Sequence, residues 1–112
     1  MSYYLRYITI FKLMGGRNKE FELEPTSERI LDEIALRELQ NDPITVSYLM
    51  LLDNITSPAT LHRKFSQMLK DEWVETRFEN DNRRTKYIHL TKKAKSYYEL
   101  KSKAMKKSLI LT

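Results

Sequence analysis

Apolar and polar residues follow two periods along this chain, and the changes of period divide it into elements. Residues Tyr3 to Met14 are crowded with Tyr, Ile, Phe and Leu. No clean period there separates a strand from a buried helix. Gly15-Gly16-Arg17-Asn18 signals a turn, and Phe21-Glu22-Leu23-Glu24 alternates as strands do. A hairpin is the natural reading of residues 1–24, with an N-terminal helix used in dimerisation as the alternative. Tyr3, Tyr4 and Tyr7 suit packing better than a stacking platform for bases.

From Pro25 the helical period is clear. Pro25-Thr26-Ser27 opens a helix, and Glu28 in its first turn favours the helix dipole. Ile30, Leu31, Ile34, Ala35 and Leu39 form its apolar face, and Asn41-Asp42-Pro43 stops it. Thr45 reads as the next N-cap. Val46, Leu49, Met50 and Leu52 predict a short, nearly all-apolar helix ending at Asp53-Asn54. Ser57 caps a third helix with Pro58 at its first position, where the missing N–H costs nothing. Leu61, Phe65, Met68 and Leu69 share one stripe. At about 100° per residue the opposite side presents Thr60, Arg63, Ser66, Gln67 and Lys70, flanked by His62 and Lys64.

The period then drops to two. Trp73 to Phe78 and Thr85 to Leu90 alternate and are rich in strand formers. Between them Glu79-Asn80-Asp81-Asn82-Arg83-Arg84 reads as a turn tipped with two arginines. Thr91 caps a last helix, where Ala94, Tyr97, Tyr98, Leu100, Ala104, Met105 and Leu109 cover a broad apolar sector. That sector is wider than the ~100° one core contact needs. It packs either on a second subunit or over its own domain. The subunit reading makes Tyr97, Tyr98, Leu100, Met105 and Leu109 the dimer interface.

The pattern predicts an α+β, mainly helical fold: one domain over residues 1–112, with an extension (1–24), a core (25–93) and a C-terminal helix (94–112). The length of 112 residues suits one compact core. Charge sharpens the picture. Met1 to Asn54 carries six Lys/Arg against nine Asp/Glu, a net of −3, and Ile55 to Thr112 carries fourteen against six, a net of +8. A chain so polarised has one face that attracts polyanions. With Thr45 and Lys86 added, the DNA-binding candidates are Thr45, Ser57, Thr60, His62, Arg63, Lys64, Gln67, Arg83, Arg84 and Lys86.

No catalytic constellation stands out. His62 and His89 are the only histidines and cysteine is absent, so thiolate metal sites and disulfides are excluded and a zinc site is not expected. His89, on an alternating strand, reads as a surface or packing residue. Gly15-Gly16 lacks the lysine and hydroxyl spacing of a phosphate loop. The expectation is a protein that is not an enzyme, needs no cofactor and suits a reducing cytoplasm. Arg6 and Lys12 interrupt the N-terminal apolar run, which reads as neither signal peptide nor membrane span.

From about Ile44 to Lys93 the chain resembles the MarR-like winged helix-turn-helix transcription regulators. The resemblance rests on Thr45-Val46, on Ser57-Pro58-Ala59-Thr60, and on Asp81-Asn82-Arg83-Arg84 followed by Ile88, Leu90 and Thr91. It implies that Ser57, Thr60, His62 and Arg63 touch bases. It also implies that Arg83 or Arg84 enters the minor groove, buttressed by Asp81. Glu72 and Ala94 stand where that family usually has glycine. The expected function is sequence-specific binding of double-stranded DNA by a homodimer that regulates transcription, with no effector identified. The alternative is a winged-helix module that binds a protein such as polymerase or a replication factor. A nonspecific nucleic-acid coat is the third reading.

Overall fold

In the computed structural model, residues 2–79 and 82–110 are described, Asn82 by its backbone alone. The chain is α+β and mainly helical, with a two-stranded antiparallel sheet. Its elements are α1 (Tyr3–Leu13), a 3₁₀ turn (Lys19–Phe21), α2 (Pro25–Leu39), α3 (Val46–Leu49), α4 (Pro58–Lys70), β1 (Val74–Glu79), β2 (Asn82–Leu90) and α5 (Lys92–Ser108). They divide into two compact units, Leu23–Lys93 and a pairing of Met1–Glu22 with Ala94–Thr112. The two chain ends thus form a unit of their own.

The expected N-terminal hairpin is corrected. Residues 3–13 are helical, and Ser2 caps them by accepting from the Leu5 N–H at 3.4 Å. Gly15-Gly16 is the stop of this helix rather than a hairpin turn. Gly15 has φ +92°, and the Gly16 N–H donates back to the Phe11 carbonyl at 2.8 Å. A Cβ on Gly16 would lie 2.3 Å from the Phe11 ring, so only glycine fits that approach. Within this unit Phe11 meets Tyr97 edge-on at 5.9 Å, and Phe21 meets Tyr97 at 5.6 Å. Lys101 lies over the Tyr97 ring at 4.7 Å, and the Arg6 guanidinium donates to the Ile110 carbonyl at 2.6 Å. Tyr3 and Tyr4 are exposed, with Tyr4 tilted against Tyr7 at 6.3 Å, while Tyr7 stacks on Phe11 at 5.9 Å.

The other unit is built on α2, which packs against α4 and β2. Ile30, Leu31 and Ile34 are fully buried, each contributing about 1.5–3 kcal/mol of transfer free energy. Leu39, expected on the same face, is 80% exposed; it lies about 140° around the helix from Ile34. The apolar run after Thr45 forms one helical turn, Val46–Leu49, not a helix to Asp53-Asn54. Leu49 is buried but Leu51 is 76% exposed, and a second turn without a buried face has little to hold it. The 44–45 segment instead lies along β2, with the Ile88 N–H donating to the Ile44 carbonyl at 2.9 Å and a bridge between Thr45 and Tyr87.

Three helices end alike, with a left-handed residue and a backbone N–H reaching back five positions. α1 uses Gly15. α2 uses Asn41 at φ +57°, with Asp42 N–H donating to the Arg37 carbonyl at 3.0 Å. α4 uses Glu72 at φ +62°, with Trp73 N–H donating to the Met68 carbonyl at 2.9 Å. The position where the resembling family has glycine therefore adopts a glycine-like backbone here with a side chain attached.

Candidate nucleic-acid interface

The start of α4 is fixed from both sides. Ser57 Oγ accepts from the Thr60 N–H at 3.3 Å and donates to Thr60 Oγ1 at 3.0 Å. Arg29 of α2 donates to the Asn54 and Ile55 carbonyls at 3.1 and 3.3 Å, tying down the loop that leads into the cap. Leu61, Phe65 and Met68 are buried beneath, while Leu69 is at the stripe's edge, 36% exposed. The helix is thus held rigidly with its polar side outward.

The candidates on that side divide. His62, Arg63, Ser66 and Lys70 are exposed, and Arg63 and His62 have no ion pair or hydrogen bond among the described residues. Lys64 is engaged in an ion pair with Glu24. Gln67 donates to both carboxylate oxygens of Asp71, at 3.0 and 3.1 Å. Thr60 is half-buried and shares its hydroxyl with Ser57, and Thr45 is committed to capping α3 through the Tyr48 N–H at 3.0 Å. The exposed donors are accordingly narrower than the sequence pattern suggests: Arg63 and His62 lead, Ser66 joins them, and Lys64 and Gln67 are occupied by carboxylates.

The strand pair differs from the expected turn. β1 and β2 run in register from Val74↔Leu90 to Phe78↔Lys86, and the next pair is Glu79↔Asn82. Arg83, Arg84 and Thr85 fall between those two pairs with no residue opposite. The arginines therefore belong to an irregular stretch of β2, not to the turn itself. Both are exposed. Asp81, the expected support for a wing arginine, lies outside the described residues. Lys86 stands over the Phe78 ring at 5.7 Å. These side chains border an open cleft of about 350 Å³ together with Val46 and Ser47 of α3. Ser47, Phe78 and Thr85 carried no sequence signal for this role, because the register irregularity that brings them together depends on strand pairing.

At the other end of the sheet sits a buried polar group. His89 is 8% exposed, a packing residue. Its Nδ1 is 3.3 Å from Glu38 Oε1, and Glu38 Oε2 accepts from the Leu90 N–H at 3.0 Å. Nε2 lies 3.0 Å from Glu79 Oε1, but not in hydrogen-bonding geometry. Glu38 thus joins α2 to β2.

Tyr97, expected at a dimer interface, is 4% exposed and packed by Phe11 and Phe21 of its own chain. The apolar width of α5 is used partly within the unit. Tyr98 and Leu100 are partly covered, while Met105 and Leu109 are 56% and 65% exposed. Among the described residues no cluster of three or more His, Asp or Glu side chains could hold a metal ion, and no helix is long and apolar enough to cross a membrane. In comparisons with known proteins, no family model, curated protein or solved structure matches the chain.

Proposed function

We propose that the chain is a sequence-specific double-stranded DNA-binding regulator of transcription, built as a winged helix-turn-helix of the MarR-like kind. The observation that carries this reading is the outward side of α4. A capped helix presents Arg63 and His62, without partners among the described residues, above an apolar underside. Base edges in the major groove are read by such donors, arginine to guanine above all. In this reading α3 and α4 form the helix-turn-helix, and β1 and β2 form the wing, whose Arg83 and Arg84 reach the backbone or a narrow minor groove. The +8 net charge after Asn54 supplies sequence-independent affinity. A homodimer through the exposed Met105 and Leu109 would present two copies of α4 to a pseudo-palindromic site.

The protein-module reading is favoured by one observation, the exposed Leu36, Leu39 and Leu51 on the acidic half of the chain. A gel-shift titration at several salt concentrations separates the readings. A specific regulator keeps its complex with a selected duplex under excess random DNA. A nonspecific coat loses it, and a protein module forms little complex with either.

A further inference from the structure

The cleft beside β2 joins cations to an apolar wall, and duplex recognition has no use for the second. In a regular strand, neighbouring side chains point to opposite faces. Here Arg83, Arg84, Thr85 and Lys86 are consecutive, yet all border the same cleft. The cause is the register irregularity between the Phe78↔Lys86 and Glu79↔Asn82 pairs, which re-aims side chains as bulges do. The opposing wall is partly apolar: Phe78, 45% exposed, and Val46, with the Ser47 hydroxyl beside them. Three cations and two hydroxyls suit a phosphate; an exposed aromatic ring beside them suits the face of a base. A paired duplex keeps its base faces stacked inside, so it can engage the cationic wall but leaves the apolar wall unused.

We propose that this cleft takes one nucleoside phosphate unit, its phosphate held by Arg83 and Lys86 and its unpaired base laid on Phe78 and Val46. The unit is either a free nucleotide or a link in a single strand, and the same chemistry recognises both. The assignment goes beyond the regulator reading and does not depend on it.

Calorimetric titration of the full chain with inorganic phosphate, thymidine 5′-monophosphate, an oligothymidylate and a blunt duplex tests it. Stacking of one base predicts that the monophosphate binds about fivefold to a hundredfold tighter than inorganic phosphate. Phe78→Ala brings the monophosphate down to the level of phosphate, and Arg83→Ala weakens both. Phe78 is half exposed, so its removal empties no core, and Phe78→Tyr should retain the preference. An oligothymidylate that binds far tighter than the monophosphate assigns the cleft to a single strand. Equal affinities, with the monophosphate displacing the oligomer, assign it to a free nucleotide. Equal binding of phosphate and monophosphate by the parent, or an unchanged preference in Phe78→Ala, overturns the proposal. Arg63 is not among the cleft residues, so Arg63→Ala should leave monophosphate binding intact. A parent that binds monophosphate but no specific duplex refutes the regulator alone.

Discussion

Glu72 is the residue whose replacement tests the local physics most sharply. It sits just past the end of α4 at φ +62°, where a side chain with a Cβ costs about 1–2 kcal/mol relative to glycine. Its carboxylate also stands at the negative end of the helix dipole, which costs a further few tenths of a kcal/mol when exposed. Glycine removes both penalties, and its greater freedom in the unfolded chain takes back about 0.5–1 kcal/mol. Glu72→Gly should therefore stabilise the unit by about 1 kcal/mol. The bonds made by the Glu72 backbone, including its carbonyl accepting from Thr91 Oγ1 at 2.6 Å, are unaffected. Trp73, the single tryptophan, is 1% exposed and adjacent, so its fluorescence reports unfolding of this unit. With a slope of ~1–2 kcal/mol per molar urea, the midpoint should rise by about 0.5–1 M. Glu72→Ala, which removes the charge but keeps the Cβ, should gain only the dipole part. A lower midpoint for Glu72→Gly, or equal gains for both variants, would refute the left-handed assignment and with it this explanation of how α4 ends.

Glu38→Ala should destabilise the same unit by about 1–3 kcal/mol, because the buried Leu90 N–H and the His89 ring lose their acceptor; Glu38→Gln, which can still accept from Leu90, should cost less, and urea midpoints followed through Trp73 rank the two. Replacing Arg83 and Arg84 together by alanine should weaken DNA binding across all sequences and flatten the slope of log K against log salt by about 0.9 for each phosphate no longer neutralised; a double variant with the parent slope would turn the wing away from DNA. Met105 and Leu109 are exposed apolar residues at and just past the end of α5, with Ile110 beside them, so changing both to Glu should convert a dimer sedimenting at micromolar concentration into a monomer, and a parent already monomeric would rule the dimer out.

What was legible in the sequence was mostly local. Thr45 and Ser57 are N-caps because a hydroxyl before an apolar run satisfies the N–H groups of the next turn. The two strands followed from alternation. α1 was not legible as a helix, since apolar side chains on several of its sides erase the 3.6 period; its stop at Gly15-Gly16 looked like a hairpin turn because both need a left-handed residue. The helix face on α4 was readable, but the pairing of Lys64 with Glu24 and of Gln67 with Asp71 was not. Lys64's partner is far along the chain, and composition cannot say which cations remain available. Arg83–Thr85 illustrate the same limit: an irregular register is a property of two strands together, not of either one.

Whether the outward side of α4 reads bases is tested most directly by selection from a random duplex pool, with the parent and with Arg63→Ala. The parent should enrich one pseudo-palindromic motif with half-sites about one DNA turn apart, ~34 Å. Arg63→Ala should lose information at one position in each half-site, with affinity for the parent motif lower by about 1–3 kcal/mol, and keep the rest of the motif. No enriched motif with the parent, or the same motif at full strength with Arg63→Ala, would contradict base reading by α4.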